Sequence, residues 1–339
     1  MIKLPIAIHQ YQTIPSFTQP LAILYGQNKK YADMWVINNC VSVLFEYNLK
    51  SHNTTPYLHI LPVHVMQNCC FFDVYRVPNQ LLGGDLETLT KELLISGHYI
   101  NTSIDTYYLS CHNSAYQKFH FVHPILIYGY KEDIFYVSDH FLGGNGNLSL
   151  KEVPIYEFID GYTSAHTNYL YMNYLNGIYA IKYKQDINNY NINKDSIKNN
   201  LFFHINSFRN CIPPLFQDYI PLDSYKEYSD IKFPYGYSAI LNMVDVIKHY
   251  KDDESLFIIT VHGLLIHAKI INQIIIMCGI NNLLINAEQY FNKCCILENK
   301  MLKNIISKRK TRVDVNLLED IVEHDLSLCN QLYKTLIND

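Results

Sequence analysis

The sequence predicts an α+β domain followed by a mainly α-helical domain. Short segments of strand-like composition are concentrated before about residue 185. Beyond about residue 235, apolar residues recur with a helical spacing. Residues 184–200 lie between these regions and are polar, which is typical of a connection between domains. A length of 339 residues suits two domains, so we place the first domain at residues 1–185 and the second at residues 186–339.

The strand-like segments of the first domain combine β-branched and aromatic residues and are bounded by turn-forming residues. Two helices are also expected in this domain. One covers Cys40–Tyr47, after two asparagines, and the other covers Asp85–Ser96, where Asp85 follows two glycines and is suited to cap the helix. Six strands are predicted: Tyr57–Val63, Phe71–Val77, Tyr99–Ile104, Phe121–Tyr130, Ile134–Ser138 and Gly177–Tyr183.

The second domain has the pattern of a helical bundle. Its most apolar stretch, Leu256–Ile280, has the length of a membrane-spanning helix. His262, His267 and Lys269 interrupt it, so no run of about 18 apolar residues survives. We therefore predict a buried helix and no membrane span. Three other segments carry apolar residues at helical spacing: Ser238–His249, Leu283–Ile306 and Val313–Leu336.

The charge and the cysteines narrow the class of protein. A formal net charge of −4 gives no electrostatic footprint for nucleic acid. The short basic cluster Lys308–Arg312 is expected to be a solvated helix end or a docking patch for an acidic partner.

The nine cysteines form no regular framework, and the first residues lack the pattern of a signal peptide. We therefore expect reduced thiols in a cytoplasmic protein. No CxxC pair is present, and His120 and His123 have no second pair beside them, so we predict no metal.

A histidine and an aspartate bracket the most informative segment of the chain. His123 lies at the start of one strand-like run, a turn is expected at residues 131–133, and the next run ends at Asp139. If the two runs pair as a hairpin, His123 and Asp139 lie side by side at its open end. A carboxylate there can hold one tautomer of the imidazole while the other ring nitrogen faces a nucleophile.

Cys40 is the candidate nucleophile. It precedes the apolar segment that is predicted to begin a helix, and the dipole and free N–H groups of a helix N-terminus favour a thiolate. A lone cysteine is more often a small core residue, and this alternative stays open. Three further cysteines are alternative nucleophiles without such a position: Cys69, Cys70 and Cys111.

The residues around the histidine resemble those of a known enzyme family. The segments Asp105–Leu109 and Tyr116–Tyr130, followed by Asp139, resemble the N-terminal domain of the butirosin biosynthesis protein H family. The resemblance covers roughly residues 38–160. It implies a papain-like fold, with a cysteine on a helix and the histidine and aspartate on an antiparallel sheet. The spacing from His123 to Asp139 is also similar to that of bacteriocin-leader-cleaving cysteine peptidases.

The resemblance implies a function and a set of roles. Members of the family are cysteine acyltransferases that move an acyl group from a carrier-protein thioester onto an amine. Cys40 would be the nucleophile, His123 the general base and acid, and Asp139 the group that orients the imidazole. The expected partners are an acyl or peptidyl carrier protein and a small amine such as a diamine, as in closthioamide-type amide synthases. No cofactor is expected, because the donor supplies the phosphopantetheine.

The sequence departs from the related peptidases at the oxyanion hole. Those enzymes have a glutamine six residues before the cysteine, and this chain has Met34 there. Asn38 and Asn39 are the expected replacements, although each is equally suited to cap the predicted helix.

Four further residues are weaker candidates for substrate contacts. Asp105 is expected to select an amine or to be a structural turn carboxylate. Tyr107 and Tyr108 are expected to line an acyl pocket or to face the core. His120 is expected to lie behind the site or on the surface.

Two other functions fit the same residues. A peptidase or thioesterase of the same fold would use water in place of the amine. A binding protein could keep the fold without catalysis. Retention of cysteine, histidine and aspartate in this order favours an enzyme.

Overall fold

The computed structural model is an α+β protein with an antiparallel sheet and a helical C-terminal region. It describes residues 1–46, 56–62, 65–81, 85–140, 148–168, 177–207, 235–249, 254–307 and 313–338. The basic cluster Lys308–Arg312 lies outside these residues.

The chain folds into two units. The first, here called the sheet unit, consists of Met1–Ala32 and His64–Tyr190. The second, the helical unit, consists of Asp33–Val63 and Asn191–Asp339. The later division, after residue 190, lies close to the expected boundary at residue 185. Residues 33–63 belong to the helical unit, whereas the sequence placed them in the first domain.

The sheet unit contains a seven-stranded antiparallel sheet. Its strands are β1 (Ile2–Lys3), β4 (Phe72–Val77), β5 (His98–Asp105), β6 (Val122–Lys131), β7 (Ile134–Asp139), β8 (Ser149–Pro154) and β9 (Ile178–Tyr183). Their order is β4-β9-β5-β6-β7-β8, and β1 pairs with β6. Five of the six predicted strands lie in this sheet, and the sixth, Tyr57–Val63, corresponds to β3 (Tyr57–Ile60) of the helical unit. The observed bounds differ from the expected ones by three residues or fewer. The strand β8 was not predicted, because its charged central residues are exposed.

Helix α4 (Leu86–Ile95) packs against β5 and β6, and helix α5 (Ile155–Thr167) packs against β5 and β8. The two helices share one apolar core with the sheet. The predicted start of α4 is confirmed, since the Asp85 carboxylate accepts a hydrogen bond from the backbone N–H of Thr88 at 2.9 Å. Ile104, Ile125 and Phe158 are fully buried in this core. The helices of the sheet unit are α1 (Pro15–Gln27), α3 (Val65–Asn68), α4 (Leu86–Ile95) and α5 (Ile155–Thr167); α2 (Lys29–Asn39) begins there and continues into the helical unit.

The helical unit combines a two-stranded ribbon with a set of helices. The ribbon pairs β2 (Val43–Glu46) with β3 (Tyr57–Ile60). The strand β3 packs on the long apolar helix α8 (Glu254–Met277). The predicted bundle segments are confirmed as helices. The polar stretch 184–200 ends earlier than expected, because α6 begins within it. The helices are α6 (Lys194–Asn206), α7 (Tyr237–His249), α8 (Glu254–Met277), α9 (Leu284–Ile306) and α10 (Val315–Asn338).

One described helix is long and apolar enough to cross a membrane. It is the segment Phe257–Met277 of α8, and 67% of its most apolar window is buried inside the protein. Such burial is typical of a helix in the core of a soluble protein. This agrees with the buried helix that the polar interruptions predict.

Candidate active site

The hairpin of β6 and β7 brings the predicted histidine and aspartate together. The strands are antiparallel, with Leu126 opposite Ser138, so the start of β6 and the end of β7 lie at the same edge of the sheet. The Nε2 atom of His123 lies 2.9 Å from Oδ1 of Asp139. Its N–H bond is not aligned as in a regular hydrogen bond, so the contact is best described as an ion-pair contact. The predicted hairpin is confirmed.

Asp139 is fully buried and is approached by three nitrogen atoms. Besides His123, the Nε2 atom of His112 lies 2.9 Å from Oδ2, and the backbone N–H of His140 donates to Oδ1 at 2.6 Å. These contacts fix the carboxylate on both oxygens. Sequence reasoning missed His112, because it lies in a run of turns with no periodic pattern. The one signal in the sequence was that His112 is a histidine, eleven residues before His123.

The surroundings of the pair favour its charged form. Burial alone would raise the pKa of the Asp139 carboxyl, but His123 and the hydrogen bond from His112 outweigh it and hold this pKa well below its ordinary value. Burial alone would lower the pKa of His123, but the adjacent carboxylate raises it above its ordinary value. The imidazole is 16% exposed. With Nε2 beside Asp139, its Nδ1 atom is the nitrogen left for proton transfer.

A buried glutamine on α1 joins the two strand ends that carry the pair. The Gln19 side chain donates to the carbonyl oxygens of Pro124 at 3.0 Å and Ser138 at 3.4 Å. Asn101 of β5 donates to the Gln19 carbonyl oxygen at 2.6 Å. Pro124 follows His123 in the chain, and Ser138 precedes Asp139. This network therefore holds the pair in place before a substrate binds.

Asp105 forms a second buried aspartate–histidine pair. Its carboxylate has no exposed surface and accepts hydrogen bonds from His120 Nδ1 at 2.7 Å, Ser164 Oγ at 2.8 Å and the backbone N–H groups of Tyr107 at 3.1 Å and Phe121 at 3.2 Å. These four donors occupy both oxygens. Asp105 is thus positioned to hold the turn between β5 and β6, and its side chain does not reach solvent. The structural alternative accounts for this residue.

His120 and the two tyrosines form one aromatic group above Asp105. The rings of His120 and Tyr107 stack with their centroids 4.3 Å apart, and Tyr108 meets Tyr107 edge-on at 5.2 Å. The side chain of His120 is 35% exposed. A role of this group in lining an acyl pocket stays a prediction.

The predicted helical position of Cys40 is wrong. The helix α2 ends at Asn39, and the backbone N–H of Cys40 donates to the carbonyl of Val36 at 2.8 Å, continuing the hydrogen bonds of that helix. The following residues Val43–Glu46 form β2. This segment is short, apolar and rich in β-branched and aromatic residues, so a strand was equally compatible with it. Cys40 is buried and belongs to the helical unit, whereas His123 and Asp139 belong to the sheet unit.

The two asparagines also end a helix instead of beginning one. The Asn38 side chain is buried and donates to the carbonyl of Asn191 at 2.9 Å, while its oxygen accepts from the N–H of Asn193 at 2.8 Å. Asn39 donates to the carbonyl of Trp35 at 2.8 Å. Each of these contacts uses one N–H donor of the amide, and the expected oxyanion-hole role of Asn38 and Asn39 stays a prediction. The contacts of Asn38 anchor the segment that leads into α6.

The three described cysteines of the sheet unit have raised pKa values. Burial, followed by the charges of Asp139 and Glu157, raises the pKa of Cys111 to about 12. Burial also raises the pKa of Cys69 and of Cys70. The thiolate is the reactive form of cysteine, so raised pKa values weigh against these three alternatives.

The ionisation of His123 can be measured directly. We expect its imidazole to titrate above the ordinary value of about 6.5 and to shift to lower pH in the Asp139→Asn variant. In that variant burial still opposes the charge, but the carboxylate that favours it is gone. Histidine-labelled protein and heteronuclear NMR report the midpoint, and the His123→Gln spectrum assigns the signal.

His98 is the matched control for that titration. Burial, followed by Lys182, lowers its pKa, and its midpoint should not respond to the change at residue 139. An equal His123 midpoint in both proteins would contradict the electrostatic coupling of the pair.

Comparisons with known proteins do not identify a family for this chain. No protein-family model matches the chain, and a search of curated proteins finds no match.

Proposed function

We propose that this protein is a cysteine-dependent acyltransferase of papain-like fold that moves an acyl group from a carrier-protein thioester to a small amine. The observation that carries the proposal is the His123–Asp139 pair. A fully buried carboxylate, fixed by further donors, holds an imidazole that keeps partial exposure. This is the arrangement of a base and its orienting group in enzymes that use a nucleophilic side chain.

Cys40 is the proposed nucleophile. It precedes the histidine and aspartate in the order that the resemblance implies, and the described cysteines of the sheet unit have raised pKa values. Since Cys40 follows the C-terminal end of α2, the helix dipole there disfavours a thiolate instead of favouring it. Deprotonation therefore depends on the imidazole. This requirement makes His123 essential to the formation of the nucleophile as well as to the later steps.

The reaction divides into two acyl exchanges. The Cys40 thiolate attacks the thioester carbon, and the tetrahedral intermediate expels the phosphopantetheine thiolate of the carrier, which takes the proton held by His123. The amine then attacks the acyl carbon of acyl-Cys40 while His123 removes a proton from the attacking nitrogen. Collapse releases the amide, and the cysteine sulfur leaves as a thiolate. One thioester is consumed and one amide is formed, so no cofactor is required beyond the phosphopantetheine of the donor.

The partners follow from this chemistry. The donor is an acyl or peptidyl carrier protein, whose docking helix is acidic, and the acceptor is a small amine such as a diamine. The basic cluster Lys308–Arg312 is the proposed docking patch on sequence grounds. A reduced active thiol places the reaction in the cytoplasm. Nucleic acid and membrane have no part in it.

Acylation of one cysteine is the central test. Intact-protein mass spectrometry after incubation with an acylated carrier protein should show one acyl adduct, and peptide mapping should place it on Cys40. Cys40→Ala should remove the adduct. The matched control is Cys70→Ala, because Cys70 is an exposed cysteine whose loss should leave the adduct unchanged. An adduct that persists in Cys40→Ala overturns the assignment of the nucleophile.

The fate of the acyl group separates transfer from hydrolysis. With saturating amine, amide should exceed free acid. Free acid as the main product, across several amines and acyl donors, would identify a thioesterase of the same fold. Cleavage of a peptide in place of the thioester would identify a peptidase.

A further inference from the structure

Four potential metal ligands meet in the core of the helical unit. His204 lies on α6, His267 on α8, and Asp325 and Cys329 on α10. The Asp325 carboxylate lies 3.1 Å from Nε2 of His204 and 2.9 Å from Nε2 of His267, and the Cys329 sulfur lies 3.7 Å from Oδ1. All four side chains are fully buried. We call them the His2AspCys cluster.

The charge of this cluster requires an explanation. Buried carboxylates in proteins are paired with cations or coordinate metals, because an isolated charge is costly in an apolar interior. Among the residues that the structure describes, the ion-pair partners of Asp325 are two histidines, and no lysine or arginine is among them. A divalent ion would supply the positive charge. Bound to one carboxylate and one thiolate, it would leave the cluster electrically neutral.

The donor set selects the class of ion. Two imidazoles, a thiolate and a carboxylate are the ligand types of zinc, which prefers four ligands in a tetrahedron. Bond lengths of about 2.0–2.3 Å place tetrahedral ligand atoms about 3.3–3.8 Å apart. The four ligand atoms lie within 4.8 Å of one another, so closing around an ion requires shifts of about 1 Å in the widest pair. Asp325 and Cys329 are four residues apart on α10, which places both on one face of that helix.

We propose that the His2AspCys cluster binds one zinc-like divalent cation that ties α6, α8 and α10 together. The ion replaces the thiol proton of Cys329, which is released to solvent. Because all four ligands are buried, the ion enters as the helical unit folds. The sequence predicted no metal, since these ligands come from three distant segments and form no short motif. The cation is structural and is separate from the chemistry proposed for His123.

Refolding of the full chain with defined metals tests this site. The protein is unfolded in denaturant with a chelator, then refolded with Zn²⁺, with Co²⁺ or with the chelator alone. We expect about one equivalent of metal per chain after exhaustive dialysis, measured by mass spectrometry of the elements. The cobalt form should show a thiolate-to-cobalt absorption band. The yield of folded protein should fall severalfold with the chelator.

Two cysteine variants identify the ligand. Cys329→Ser should lose the thiolate-to-cobalt band. Cys294→Ser changes another buried cysteine of the helical unit that lies outside the cluster, and it should keep the band. The proposal would be overturned if the wild-type protein refolded as well with the chelator as with Zn²⁺ and retained less than about a tenth of an equivalent of metal. The cluster would then be a hydrogen-bonded network without an ion. A band that survives in Cys329→Ser would overturn it as well.

Discussion

The Asp139→Asn variant is expected to transfer acyl groups at least about a hundredfold more slowly than the wild-type protein. Asparagine has almost the same shape as aspartate, so the hairpin and the buried position should persist. The amide carries no negative charge to stabilise the imidazolium of His123. It also presents an N–H group where the carboxylate accepted contacts from two histidines and a backbone N–H. The imidazole should therefore adopt the wrong tautomer, and turnover measured with an acyl-pantetheine thioester and an amine reports the loss.

His123→Ala extends the same test to the base. Turnover should fall below detection, because the deprotonation of both the thiol and the amine depends on this imidazole. Binding of the carrier protein should be retained, which a direct binding measurement on the variant establishes.

The second aspartate–histidine pair supplies the matched control. Asp105→Asn changes an equally buried carboxylate that also contacts a histidine, so any general cost of losing a buried charge is shared. We expect Asp105→Asn to reduce stability while the turnover of folded protein stays within a few fold of the wild type. Near-normal turnover in Asp139→Asn, or equal losses in the two variants, would show that the His123–Asp139 pair is structural.

A second large effect is expected in the helical unit. Asp325→Ala should lower the free energy of unfolding by about 3–5 kcal/mol, because it leaves two buried imidazoles without their shared acceptor. Burial raises the pKa of Asp325, but His267 and His204 outweigh it and hold the pKa below its ordinary value. The stabilisation is therefore present above about pH 4 and is lost as the pH falls through the lowered pKa.

Asp320→Ala is the control for that measurement. Asp320 lies on the same helix, is about half exposed and pairs with Lys293 at 2.7 Å. Its loss should cost less than about 1 kcal/mol. Urea unfolding followed by circular dichroism compares the two variants at pH 7. Equal midpoints would contradict the assignment of Asp325 as a stabilising centre of the helical unit.

The strands and the His–Asp hairpin could be predicted because their signals are local. β-branched and aromatic runs separated by turn residues locate β6 and β7, and pairing across a short turn determines which ends meet. The start of α4 could be predicted for the same reason, since Asp85 caps it within three residues. These elements need no information from distant parts of the chain.

The errors and omissions have a different origin. The segment after Cys40 forms a strand because it pairs with β3 and packs beside α7, which begins about 190 residues later in the chain. His112 reaches Asp139 through an irregular loop. The His2AspCys cluster depends on three helices whose relative positions are set by packing. In each case contacts between distant parts of the chain determine the local structure, and a local sequence pattern does not predict such contacts.

The assignment of residues 33–63 to the helical unit has a consequence for synthesis on the ribosome. This segment emerges early, yet the residues that it packs against, such as those of α8, emerge about two hundred residues later. During that interval β2 and β3 can pair with each other, but the helices that cover them are not yet made, and the ribbon depends on chaperones or on transient contacts to avoid aggregation. A chain that ends at residue 190 would lack the helices that cover β2 and β3. The sheet unit is therefore poorly suited to expression as a separate fragment, and shortened proteins for crystallisation or assay should retain the helical unit.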